Sequence, residues 1–269
     1  MIAGESDKPS NAIPAVSRDG DVTIIAGPCS VESLEQMREV AATLKQLGIR
    51  VMRGGAYKPR TSPFSFQGLE EKGLQILREV ADEFDLLVVT EVTDSANAEL
   101  VDEYSDMLQI GTRNMANFSL LKKIGVITAE SRKPVLFKRG MAATIEEWLQ
   151  ASNYITMQGN ENVILCERGI RTFETATRFT LDITAVPVVK KLSLLPIVID
   201  VSHPTGSADF VPAVSRAAVA VGADGLMVEV HPNPREALCD GAQSLDLEGL
   251  TKLVGELKLV AGAVNRNIR

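Results

Sequence analysis

Cysteine is scarce in this chain. The three present in 269 residues, Cys29, Cys166 and Cys239, are too few and too odd in number for a disulfide framework, which excludes a small stapled scaffold and fits a reducing compartment. Aromatic residues make up only 4% of the sequence, and no basic run with interleaved aromatics occurs, which argues against a nucleic-acid groove. No apolar stretch reaches the length of a membrane span or of a signal-peptide core. The expectation is a cytoplasmic protein whose partners are small molecules. Positive charge is in the minority, with 28 Lys and Arg against 35 Asp and Glu for a net charge of −7. Also missing is a Gly-x-Gly-x-x-Gly turn after the first apolar run, the mark of a dinucleotide-binding sheet.

What is present is a large apolar reserve, 45% of the residues, arranged with a regular alternation. After a polar segment, β-branched apolar runs at residues 22–26, 50–53, 86–91, 107–111, 135–138, 163–167, 197–201 and 225–230 read as eight strands. Between and after them lie stretches with apolar residues at helical spacing, among them 34–47, 68–84, 96–104, 145–154, 208–221 and 247–264. Eight strand-then-helix units call for parallel strands with helical crossovers. Strand count, length and the missing glycine motif favour a closed (β/α)8 TIM barrel over an open doubly wound sheet. The predicted organisation is a flexible tail over residues 1–21 and one α/β barrel domain over 22–269.

In such a barrel the chemistry gathers where the strands end. Walking the predicted strand ends gives Cys29; Arg53 with Lys58 and Arg60; Glu91; Arg113; Lys138; Arg168; Asp200 and His203; Glu229 and then Asp240. Arg60 or Arg113 alone would be an ordinary solvated charge. Six cations at one mouth of an acidic protein instead focus the field on an anionic ligand with more than one phosphate or carboxylate. Cys29, His203, Glu229 and Asp240 combine a thiol, an imidazole and two carboxylates, a donor set suited to a divalent metal with an open position for substrate. His231 competes with His203; strand alternation would set it on the same face as Glu229, but the Pro-Asn-Pro after it signals a turn, so His203 ranks first. Cys166, inside an apolar run, reads as a small buried hydrophobe.

Six segments carry a family resemblance: Ile-Ile-Ala-Gly-Pro-Cys-Ser (24–30), Arg-Gly-Gly-Ala-Tyr-Lys-Pro-Arg-Thr-Ser (53–62), Gln-Ile-Gly-Thr-Arg-Asn (109–114), Leu-Phe-Lys-Arg-Gly (136–140), Asp-Val-Ser-His-Pro-Thr-Gly (200–206) and Cys-Asp-Gly-Ala-Gln-Ser (239–244). From about residue 22 to the C-terminus the chain resembles the 3-deoxy-D-arabino-heptulosonate 7-phosphate (DAHP) synthases, in the short form that is a barrel alone, of the type I beta group. The resemblance implies a metal-dependent condensation of phosphoenolpyruvate with erythrose 4-phosphate and water, giving the heptulosonate phosphate and phosphate, the first step of the shikimate pathway. It implies Cys29, His203, Glu229 and Asp240 as ligands of one divalent ion per subunit, with Mn, Fe, Zn and Co all acceptable to such donors. It places Arg53, Lys58, Arg113, Lys138 and Arg168 on phosphoenolpyruvate, and Arg60 with Thr61, next to Pro59 and Ser62, on the aldose phosphate; Glu91 and Asp200 match acidic floor positions. The octulosonate 8-phosphate synthases, which use arabinose 5-phosphate, are the alternative within the same barrel group; their Ala-Asn-Arg-Ser differs from Pro59-Arg60-Thr61-Ser62 here. A non-catalytic barrel scaffold is a more remote reading.

The chemistry expected on that basis assigns the aldehyde-oxygen proton to Lys58, its pKa lowered among cations, or to Lys138, with Glu91 or the ion serving the attacking water. His203 and Asp200 complete the catalytic set. The resemblance further implies a homodimer or homotetramer, with a chorismate mutase as one conceivable partner, and the short tail leaves no room for an independently folded regulatory domain. Because Cys239 adjoins Asp240, oxidation pairing it with Cys29 is a second expectation.

Overall fold

A computed structural model describes residues 16–59, 62 and 64–269; Arg60, Thr61 and residues 1–15 lie outside the described residues. The elements alternate as expected: β1 (Thr23–Gly27), α1 (Leu34–Leu47), β2 (Val51–Arg53), α2 (Glu70–Phe84), β3 (Leu87–Val92), α3 (Ala98–Tyr104), β4 (Met107–Ile110), α4 (Phe118–Ser131), β5 (Val135–Lys138), α5 (Ile145–Thr156), β6 (Val163–Glu167), α6 (Ala185–Leu192), β7 (Ile197–Asp200), a single turn α7 (Ser202–Thr205), α8 (Val211–Ala220), β8 (Gly225–Glu229) and α9 (Leu247–Ala263). Each strand pairs in parallel with the next, and β8 returns to β1 with Ile25 opposite Met227, closing the barrel. No helix among the described residues is long and apolar enough to cross a membrane.

The strands are short β-branched runs buried on both faces, as strands wrapped by helices must be. Alternation then sorts their side chains. Ile24, Met52, Val88, Leu108, Phe137, Leu165, Ile199 and Leu226 point outward into the layer packed by the helices, while Ile25, Val51, Val89, Met107, Leu136, Cys166, Val198 and Met227 fill the barrel interior. Cys166 is thus the core residue its sequence context suggested.

Period two fixes what comes next. Two residues beyond each interior apolar residue the same inner face carries, in strand order, Gly27, Arg53, Glu91, Gln109, Lys138, Arg168, Asp200 and Glu229. Seven of the eight are polar, so an apolar plug is capped by one polar layer at the C-terminal end of the strands. The exception has a steric reason: Gly27 has φ 153°, and a Cβ there would meet the Arg53 carbonyl oxygen at 2.0 Å.

At the opposite end, packing begins earlier than the tail boundary at 22 predicts. Val16 is buried in the interior cluster, and Asp19 and Asp224 share the Lys190 ammonium at 2.7 and 2.8 Å. The apolar side chain of Val16 finds the open base of the barrel, a destination invisible in a polar stretch of sequence.

Candidate active site

Cys29 leaves β1 through Gly27-Pro28 and is buried, its Sγ 3.2 Å from Cys239 Sγ and 3.3 Å from Asp240 Oδ2. His203 stands on the α7 turn, which Asp200 caps by accepting the backbone N–H groups of Ser202 and His203 at 3.2 and 3.1 Å. That capping aims Nε2 at Glu229 Oε1 (3.6 Å) and Asp240 Oδ2 (3.9 Å). Nδ1 lies 2.7 Å from Asp200 Oδ2, within ion-pair range but without hydrogen-bond alignment. Glu229, the last residue of β8, is fully buried and gripped at both oxygens: Arg53 Nη1 donates to Oε1 and Gln243 Nε2 to Oε2, each at 2.6 Å. Asp240 follows in the β8–α9 loop with a left-handed backbone, φ 52°, an arrangement that costs a non-glycine residue energy and recurs where function requires it.

One donor atom from each of Cys29, His203, Glu229 and Asp240 lies within 4.8 Å of the others. Donors on opposite sides of an ion with bonds of about 2.0–2.3 Å would be separated by roughly twice that length, so closing on an ion would need only small side-chain shifts. The protonation states suit this. Burial draws the His203 imidazole down, against the pull of Asp200 and Glu229, leaving a neutral ring. Burial would raise Asp240, but His203, Arg178 and the Cys29 thiol hold it down to about 2, and His203 and Arg53 likewise keep Glu229 below its ordinary range. Cys29 is the exception: its contact with Cys239, burial and Glu229 push its thiol well above the ordinary value, so a cation bound there would have to displace a proton.

Lys58 Nζ donates to Cys29 Sγ at 3.1 Å and to the Cys29 carbonyl at 3.0 Å. The expected lowering of its pKa is reversed. Burial does pull it down, but the thiolate forms of Cys29 and Cys239, with Glu91, outweigh that and the repulsion from Arg53, and the ammonium is held above its usual range. Crowding by cations is the weaker influence because the donor cluster lies against the same nitrogen.

Beside the cluster opens a cavity of about 280 Å³, lined by Lys58, Arg113, Lys138 and Arg168 together with His203 and Asp240. Pro59, Ser62 and Glu91 also border it. Lys138 Nζ donates to buried Asp200 at 2.6 Å, and the Arg168 guanidinium stacks 4.0 Å over the Phe179 ring. Glu91 accepts from Gln109 at 3.2 Å, and Gly111 makes room for its carboxylate, since a Cβ there would lie 1.9 Å from Oε1. Arg53 lies behind Glu229 instead of lining the cavity. There its guanidinium supports one of the four donors.

His231 is turned away from the cluster. Its Nε2 faces Glu32 at 3.4 Å while Nδ1 accepts the Asn233 N–H at 3.0 Å; β8 has ended at Glu229, so strand alternation no longer governs it. Glu32 also accepts from the Leu238 N–H at 2.9 Å, tying the loop of Cys29 to that of Asp240. Sequence reasoning missed three more polar partners. Gln109 and Gln243 sit inside quoted motifs, and Gln109 falls on the inner face by period two; Arg178, in the loop before α6, gives no such signal.

Comparison with known proteins accords with this geometry. A model of the DAHP synthetase I family matches residues 12–261. The chain is 57% identical over 246 residues to the phospho-2-dehydro-3-deoxyheptonate aldolase of Thermotoga maritima, covering 91% of this chain and 72% of that protein. A crystal structure of that Thermotoga maritima aldolase (DAHP synthase) superposes with a TM-score of 0.89 at 55% identity, over 93% of this chain and 72% of the other. Identity to the 2-dehydro-3-deoxyphosphooctonate aldolase of Syntrophotalea carbinolica is lower, 33% over 264 residues, covering 91% of this chain and 93% of that protein. With its barrel, its strand-end motifs and a family match over most of its length, the chain belongs to the DAHP synthetase I family and is an enzyme of that family.

Proposed function

We propose that this enzyme condenses phosphoenolpyruvate with erythrose 4-phosphate and water, releasing 3-deoxy-D-arabino-heptulosonate 7-phosphate and inorganic phosphate, with one divalent cation held by Cys29, His203, Glu229 and Asp240. The observation that carries the reading is the adjacency of a four-donor cluster to a cavity bordered by Lys58, Arg113, Lys138 and Arg168. A carboxylate and two phosphates need that many cations. Bound there, the cation would supply Lewis acidity toward an aldehyde oxygen.

The residues divide the remaining work. Arg113, Lys138 and Arg168 bind the anionic groups of phosphoenolpyruvate; Asp200 fixes Lys138 and Phe179 fixes Arg168, so neither cation has to be ordered when substrate arrives. Carbon 3 then adds to the aldehyde carbon, and Lys58 gives a proton to the resulting alkoxide oxygen. Lys58 is preferred over Lys138 because its ammonium lies against the donor cluster, 3.1 Å from Cys29 Sγ, whereas Lys138 donates to Asp200. Glu91, oriented by Gln109, takes one proton from the water that attacks carbon 2; phosphate then leaves with its bridging oxygen by carbon–oxygen cleavage and carries off the remaining proton of the new hydroxyl, so that carbon 2 becomes the ketone. Arg60 and Thr61 are proposed, with Ser62, to hold the aldose phosphate.

The greater likeness to the heptonate than to the octonate aldolases favours the four-carbon aldose. The test is phosphate release from phosphoenolpyruvate with erythrose 4-phosphate or arabinose 5-phosphate. Turnover with the first and little with the second is expected; preference for arabinose 5-phosphate would transfer the enzyme to octulosonate synthesis.

A further inference from the structure

We infer that Arg178 is a positioning residue for the donor cluster, fixing the Asp240 carboxylate directly and the Glu229 carboxylate through Gln243. The inference rests on the cation reading proposed above. Arg178 Nη1 donates to Asp240 Oδ1 at 3.2 Å and to Gln243 Oε1 at 2.9 Å, and Gln243 Nε2 passes the connection on to Glu229 Oε2 at 2.6 Å. One guanidinium, itself on the lining of the cavity, thereby reaches two of the four donors. At Asp240 the division is plain: Oδ1 is engaged by Arg178, and Oδ2 is the oxygen facing Cys29 Sγ and His203 Nε2. At Glu229, Oε2 is held by the amide while Oε1 faces His203. Gln243 is buried, and its two ends are assigned by its neighbours, since only the amide nitrogen suits a carboxylate and only the carbonyl suits a guanidinium.

An exposed arginine–carboxylate pair contributes little by itself, and the Arg178 side chain retains 40% exposure. What gives this one its leverage is the way its backbone is seated. The loop of residues 168–184 between β6 and α6 is pinned into a small hairpin by paired hydrogen bonds of 2.9 and 3.0 Å between Ile170 and Thr180. The adjacent Phe179 N–H donates to the Pro204 carbonyl at 2.9 Å, on the turn that carries His203. Gly206, at φ 67°, permits the approach, for a Cβ there would lie 2.8 Å from Arg178 Cβ. The guanidinium is therefore delivered by a fixed backbone to carboxylates that strand geometry alone does not orient, the kind of outer support that sets metal affinity.

The test titrates cobalt(II) into metal-free protein and reads the thiolate-to-cobalt absorption from Cys29, independently of turnover. Arg178→Gln is expected to weaken cobalt binding by about 10- to 100-fold while leaving the melting temperature of the metal-free protein unchanged. Thr172→Ala, which removes an exposed hydroxyl contact of the same hairpin, Thr172 to Thr180 at 2.6 Å, is expected to bind cobalt as the wild type does. Gln243→Leu leaves the Arg178–Asp240 pair in place and should weaken binding about tenfold or more through the Glu229 arm, which keeps the question open to test if Arg178→Gln does not fold. Unchanged affinity in either Arg178→Gln or Gln243→Leu, or an equal loss in Thr172→Ala, overturns the assignment. A wild type without any thiolate-to-cobalt band overturns the cation reading instead, so the two failures are told apart.

Discussion

Lys138 Nζ donates to Asp200 Oδ2 across 2.6 Å, and both side chains are buried at the mouth of the barrel. Removing one partner of such a pair strands the other charge in a poor solvent. Asp200→Ala is accordingly expected to destabilise the metal-free protein by about 3–5 kcal/mol, measured by urea denaturation. Asp200 also caps the turn of His203, so the same variant should bind cations more weakly. Wild-type stability in Asp200→Ala would show that the pair is dispensable.

The second prediction concerns Lys58. A group that donates a proton only in the transition state changes kcat more than substrate binding. Lys58→Met should therefore lower kcat by about 10²- to 10⁴-fold with smaller changes in either KM. Because the ammonium is held above its ordinary range, its deprotonation should not appear as a falling limb between neutral pH and pH 9 in the wild-type kcat profile. Near-normal kcat in Lys58→Met would pass the donor role to Lys138.

Proton release should accompany cation binding, and its sign follows from the donors. Cys29 has a raised pKa and is a thiol at neutral pH, whereas Asp240 and Glu229 are already ionised and His203 is already neutral. Only the thiol has a proton to lose, so about one proton should appear per cation bound near pH 7, and affinity should rise about tenfold per pH unit. A weakly buffered titration with an indicator dye measures this; no release in the wild type would contradict a thiolate ligand.

The sulfurs of Cys29 and Cys239, 3.2 Å apart, approach to within about an ångström of the bonded distance near 2.05 Å. Treating metal-free protein with diamide, which accepts the two hydrogens, should join them and block cation binding, while a saturating cation should protect them. Peptide mapping by mass spectrometry that finds no cross-link between the two would count against this.

Much of this architecture could be read from the chain because both of its periodicities are clean. The predicted strand ends located Arg53, Glu91, Lys138, Asp200 and Glu229, and alternation explains why: an inner-face position one step past the apolar layer has to face the mouth. The spans 34–47, 135–138 and 163–167 coincide with observed elements for the same reason. Besides the single turn α7, two helices, α4 and α6, have no span among those read from the sequence. In α4 the apolar residues run around the cylinder, with Leu121 and Ile124 buried but Phe118 and Val126 exposed, which blurs the helical period; α6 is only eight residues long and contains Pro187. At the site, Gln109 and Gln243 were passed over because amides carry no charge to draw attention, and their value lies in the carboxylates they orient. Arg178 was beyond reach in principle: it occupies a 168–184 loop with no period, and only the hairpin and the seat on Pro204 bring it to Asp240.

Four donors assembled around one divalent cation remain the centre of the account, and chelation followed by reconstitution tests that most directly. Phosphate release from phosphoenolpyruvate and erythrose 4-phosphate should cease after exhaustive chelation and return when a divalent cation is restored to the wild type, but not to Cys29→Ala. Full turnover by the chelated wild type, with no cation detectable by elemental analysis, would contradict it.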